Sequence, residues 1–100
     1  MRKRRMPVDR KAEILDYALL LARDVGYQNV SRDALAEKIG CSAALISAYF
    51  GTMSNLRRAI MGAAVARSDL IVIAQGLGAG DPKARAATAS TRRAALEKLL

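Results

Sequence analysis

The sequence predicts an all-α fold: three helices in helix-turn-helix order, extended by a longer fourth helix and a short C-terminal one. Three observations carry that prediction. Apolar residues recur at helical spacing, with Ile14, Ala18, Leu21 and Val25 at i, i+4, i+7 and i+11. Glycines stand where helices should end, at Gly26, Gly40 and Gly51. Side chains able to accept a hydrogen bond from a helix's first turn precede the helical runs at Asp9, Ser31, Ser42 and Asp81.

Taken in order, the first helix is expected from about Asp9 to Val25, capped by Asp9 after Pro7 and ended by Gly26. Tyr27 to Val30 returns the chain to Ser31, which can cap a second helix over Arg32 to Ile39 with Leu35, Ala36 and Ile39 facing inward. Two helices crossing near a right angle need a residue tolerant of positive φ, a small plug and a new cap. Gly40, Cys41 and Ser42 supply them in that order. A third helix, about Ser42 to Phe50, then buries Ile46, Phe50 and part of Tyr49, and Gly51 stops it. A longer fourth helix should begin near Thr52, pass through Leu56, Ile60, Ala64 and Ile71, and end near Ala74 to Gly76. The Gly-Leu-Gly-Ala-Gly stretch that follows reads as a loop, and Asp81 with Pro82 at the first helical position opens the last helix. Its middle, Ala86 to Thr91, has little to bury and is expected to fray.

Composition narrows the function. With 100 residues, 52% of them hydrophobic, the chain reads as one small domain with no room for a large catalytic cleft. The single cysteine, Cys41, excludes an internal disulfide, and the absence of histidine removes the commonest metal ligand and general base. No nucleophile and base stand together as an enzyme would require, and no cofactor or metal is expected. The N-terminal Met-Arg-Lys-Arg-Arg run leads into Pro7 and further charge without an apolar signal core, and no apolar run approaches the roughly 18 residues of a membrane span, so a cytoplasmic protein is expected.

Charge is uneven along the chain. Residues 1–11 carry six basic side chains against one acidic, and residues 81–100 five against two, while the 69 residues between balance six against six. A neutral body with basic ends suits a polyanion held by appendages through release of its counterions. With the helix order, this makes double-stranded DNA the expected partner. Organisation follows as a basic arm over 1–8, a DNA-binding domain over 9–56 and a short helical dimerisation segment over 57–100.

The segment ILDYALLLARDVGYQNVSRDALAEKIGCSAALISAYFGTMSNL resembles the N-terminal DNA-binding domain of the TetR family of bacterial transcriptional regulators. The resemblance rests on Ile14-Leu15, Gly26-Tyr27, Ser31, Leu35-Ala36, Ile39-Gly40-Cys41-Ser42 and Tyr49-Phe50, in register over 43 residues without insertion. It implies that the third helix enters the major groove. This chain departs from the family where a tyrosine is common, at Ser47, and where a lysine is common, at Met53; both of those resemble phosphate clamps. The outward face of the third helix is expected to present Ala43, Ala44, Leu45, Ser47 and Ala48, which lack the forked side chains that read purine edges. Small residues still allow close approach to the groove and to thymine methyls, while Ser31 and Ser42 at helix N-termini can meet phosphates. Tyr49 either meets DNA or packs on the first helix. Phosphate neutralisation is expected from Arg2, Lys3, Arg4 and Arg5, helped by Arg10, Lys11 and Arg32.

The large C-terminal ligand domain usual in the family has no counterpart in the 44 residues after Leu56, so no small-molecule inducer pocket is expected. A homodimer is expected through Ile60, Ala64, Ile71, Val72, Leu96, Leu99 and Leu100. The expected function is a small repressor that occludes a promoter. The alternative is a protein-interaction module that docks on another regulator through the bland third helix and a sticky region of Met53, Ile60, Met61 and Val65.

Overall fold

The computed structural model describes residues 7–100, with side chains described from Arg10 onward. Among them are seven α-helices, one 3-10 turn and no strand. Helix α1 spans Pro7–Val25. It opens on Pro7, whose fixed φ and missing N–H suit the first helical position. Asp9 therefore lies within the first turn instead of capping it. The buried stripe of α1 is Ile14, Ala18, Leu19 and Ala22; Leu21 is half-buried and last-turn Val25 is exposed, a rotation of the expected face toward Ala22 and Leu19. The rotation follows from α1 packing against α2 (Arg32–Ile39) on one side and α4 (Met53–Ala66) and α5 (Leu70–Ala79) on the other.

Local rules set the next elements as expected. A 3-10 turn at Tyr27–Asn29 leads to Ser31, whose Oγ accepts from the Ala34 N–H at 3.0 Å and starts α2. Gly40 ends α2 at φ 86°, a left-handed conformation that a side chain would strain. Ser42 Oγ accepts from Leu45 N–H at 3.2 Å to cap α3 (Ala43–Phe50), and Thr52 caps α4 in the same way through Asn55 N–H at 3.1 Å. Leu35, Ile46 and Leu56 from three of these helices meet Ile14 in one core and are almost wholly shielded from solvent.

Beyond α4 the chain departs from the expected long helix. The helix breaks at residues 67–69 and resumes as α5, so α5 folds back against α4. Ser68 adopts φ 55°, and Asp69 starts the new helix by accepting from Val72 N–H at 3.3 Å. The other carboxylate oxygen of Asp69 takes Nε and Nη2 of Arg23 at 2.9 and 2.8 Å, which ties the break to α1. Arg67 adds a link to the Asp16 carboxylate. Because α5 covers α4, Ile60, Ala64 and Val72 are buried within the chain and are not available to a partner. Met61 is buried with them, which removes two of the four residues of the expected sticky region.

The glycine-rich stretch is helical as far as Ala79, not a loop. Gly76 explains this: a Cβ there would stand 2.7 Å from the Ala84 Cβ and 2.5 Å from Met61 Cε, so its missing side chain is what lets α5 approach its neighbours. Gly80, at φ 76°, then ends the helix. The expected final helix is two: α6 (Pro82–Arg85), capped by Asp81, and α7 (Ala89–Glu97), capped by Thr88. The interruption falls inside the stretch expected to fray, and Ala87 there packs inward. Helix α7 lies against α5 with Ala95 buried, leaving Leu96, Leu99 and Leu100 exposed. No helix of the described residues is long and apolar enough to cross a membrane.

Two side chains of the C-terminal half fix the turn that precedes α2. Gln75 accepts from Tyr27 N–H at 2.8 Å and donates to the Ala22 carbonyl at 2.9 Å, closing the end of α1. The Tyr27 hydroxyl donates to Asp81 Oδ2 at 3.2 Å. Burial, and secondly the Asp81 carboxylate, raise the Tyr27 phenol above its ordinary value of 10.0.

Candidate nucleic-acid interface

The corner between α2 and α3 is built from its backbone outward. The N–H groups of Gly40 and Cys41 both reach the Ala36 carbonyl, at 2.8 and 3.0 Å, which closes α2 before the chain turns. Cys41 packs half-buried against the core as a plug, and Ser42 opens α3. One face of α3 is then committed to the core by Ile46 and Phe50. Ala44 and Ala48 are exposed, while Ala43, Leu45 and Ser47 are half-buried at the edges of that outward face. Tyr49 is half-buried and packs against the core, with its ring centroid 6.4 Å from that of Phe50.

Both serine caps lie exposed at helix starts. Each hydroxyl oxygen accepts from its own helix, which leaves its proton to donate outward. A shallow hollow of about 430 Å³ lies between these elements, lined by Ser31, Arg32, Ala43, Ala44, Ser47 and Met53, with Asp33 also at its wall. Arg32 crosses it: Nη1 donates to Ser47 Oγ at 2.8 Å. Ser47 therefore carries a guanidinium from the neighbouring helix. Three or more of the five Arg32 donors remain for other acceptors. Nothing in the linear spacing announces this pair, because residues 15 apart meet only once the helix-turn-helix angle is set.

The remaining expected cations divide. Arg10 pairs with Glu13 one turn on, and Lys11 holds its ammonium 5.4 Å from the centre of the Phe50 ring, near the end of α3. Arg2, Lys3, Arg4 and Arg5 lie outside the described residues. Of the basic side chains in residues 81–100, Arg85, Arg92 and Arg93 border an open groove of about 780 Å³ between the end of α5 and α7. It lies open at the surface. No group of three or more metal-ligating side chains gathers among the described residues.

Two capped helices meeting at a glycine corner, the second with a small-residue outward face, have the arrangement of a helix-turn-helix. Residues 14–60 match the family described as bacterial regulatory proteins, tetR family. Over that span the chain is the N-terminal helix-turn-helix domain of the TetR family, which consists of DNA-binding transcription regulators. No curated protein and no solved structure matches the chain.

Proposed function

We propose that the protein is a small transcriptional repressor that occludes a promoter sterically. Helix α3 enters the major groove through Ala43, Ala44, Leu45, Ser47 and Ala48. Ser31 and Ser42 donate to phosphates on either side, Arg32 does so beside Ser47, and Tyr49 braces the end of the helix. The N-terminal residues Arg2, Lys3, Arg4 and Arg5, with Arg10 and Lys11, follow the backbone or the adjacent minor groove. The observation that carries this reading is the face of α3: its exposed residues are alanines, flanked by two serine-capped helix starts, so backbone and groove floor can approach closely.

One helix-turn-helix covers few base pairs, so binding as a homodimer on half-sites about 34 Å apart is part of the proposal. Of the residues first expected at the dimer face, Ile71, Leu96, Leu99 and Leu100 are exposed and lie on or just beyond the packed helices α5 and α7. Light scattering that finds a monomer both free and on duplex would remove the dimer from the proposal.

The deciding experiment titrates the full chain against random and selected duplexes at two salt concentrations. Salt-dependent affinity even for random sequence is expected, and Ala44→Glu should abolish it by repulsion and bulk without loss of helicity. Absence of duplex binding at physiological salt would leave the interaction-module reading in its place. That reading has lost part of its support, since Ile60 and Met61 are buried.

A further inference from the structure

Away from α3, the junction of α4 and α6 holds a hollow of about 280 Å³ lined by Tyr27, Ser54, Arg57, Arg58, Asp81 and Lys83. We infer that this hollow seats a phosphate of the DNA backbone, a contact made outside the helix-turn-helix motif. The inference rests on the DNA-binding reading above.

Four observations carry it. Arg57 Nε is a buried donor without a hydrogen-bond partner among the described residues. Donors left unmet in that way are unfavourable, and an acceptor arriving from outside relieves the deficit. Arg58 is positioned beside it, its Nη1 donating to Asn55 Oδ1 at 3.1 Å with its other donors left over. Lys83 reaches across from α6 and lies along α4 over Gly62, where a Cβ would stand 3.3 Å from its Nζ. Gly62 follows Arg58 by one helical turn, so the bare backbone there gives the ammonium a bed on the arginines' own helix.

Charge in the hollow is unbalanced. Asp81 is its one carboxylate, and both oxygens are engaged within the fold: Oδ1 accepts from the N–H groups of Lys83 and Ala84, and Oδ2 from the Tyr27 hydroxyl. The ion pairs given by the described residues use Arg10, Arg23 and Arg67, and none uses Arg57, Arg58 or Lys83. Three cations around one engaged carboxylate call for an anion with several acceptor oxygens, which a phosphate supplies. Ser54, in the first turn of α4, lines this hollow, and its neighbour Met53 lines the one beside α3, so the two adjoin at the start of α4.

The test compares the full chain with Arg58→Gln/Lys83→Gln over a salt series on one duplex. Both side chains are exposed, so circular dichroism should find the fold unchanged. The slope of log affinity against log salt should fall by roughly two units per protomer, at about 0.9 for each lost contact. Adding Arg57→Gln should lower it by about one more per protomer. An unchanged slope in a variant that still binds would overturn this inference alone; failure of the full chain to bind any duplex would overturn the DNA reading as well. Phosphorus NMR with inorganic phosphate separates the two sources of the anion. Saturable phosphate binding lost in the variant, with the duplex slope unchanged, would assign the hollow to a free phosphate and overturn the backbone assignment.

Discussion

The two halves of this molecule are held together by different means. From α1 to the start of α4, branched aliphatic side chains fill the centre: Ile14, Leu35, Ile46 and Leu56 are all but fully buried, and the caps are serine and threonine hydroxyls serving only their own helices. From α5 onward Val72 and Ile73 are the large buried side chains, the closest contacts are made by Ala74, Gly76, Ala84, Ala87 and Ala95, and two of the caps are carboxylates that also bind α1 or the turn after it. In the first half, side-chain volume sets the geometry. In the second, the distance between backbones does, with a few polar latches fastening it to the first. Truncation should therefore injure the first half most, and enlargement the second.

Four measurements sharpen or break that contrast. The largest effect is expected from Leu35→Ala, which empties the centre of the first half and should cost about 2–5 kcal/mol in urea unfolding followed by circular dichroism. Gly76→Ala, one added methyl, should destabilise the second half by about 1–3 kcal/mol despite alanine's better helix propensity. Ala84→Gly in the same chain should restore part of the loss, and additivity of the two changes would contradict the close approach described above.

Caps come next. Asp81→Ala should cost about 2 kcal/mol, because it removes a cap and also leaves the Tyr27 hydroxyl without its acceptor; Ser31→Ala, a cap alone, should cost about 1 kcal/mol. Equal losses would mean that the latch contributes nothing. The smallest effect is a pH dependence. The native phenol of Tyr27 titrates above the unfolded value of 10.0, so the native state keeps its proton longer and the associated stability is complete below pH 10. It is lost as pH rises through the native value, and Tyr27→Phe should flatten this alkaline slope at a cost of about 0.5–1.5 kcal/mol near neutrality.

The first half was nearly all legible in the sequence because its boundaries follow rules that act over four residues or fewer. Gly26, Gly40 and Gly51 take positive φ where helices end, and Ser31 and Ser42 cap the helices that follow. The second half obeys partners far along the chain. Periodicity runs unbroken from Leu56 to Ile71, and what splits it is Asp69, whose carboxylate is held by Arg23 on another helix. Glycines 76 to 80 spell a loop by local rules, yet Gly76 is helical because a close neighbour needs the space. Ile60, Ala64 and Val72 looked available for a partner only while α4 was extended; once α5 folds back, the chain covers them itself. At the candidate interface the outward alanines and both serines could be read directly. The Arg32–Ser47 pair could not, and the Arg57–Arg58 doublet, visible in the sequence, gains meaning only when Lys83 arrives beside it.

The Gln75 clasp has a kinetic consequence. The Tyr27 amide sits in a three-residue turn, where exchange with solvent deuterium is ordinarily fast. Its acceptor is the side chain of Gln75 on α5, so that proton is released only when Gln75 swings away from the turn, by its own rotation or with α5. Tyr27 is thus a reporter, placed beside the helix-turn-helix, of how often the Gln75 clasp opens.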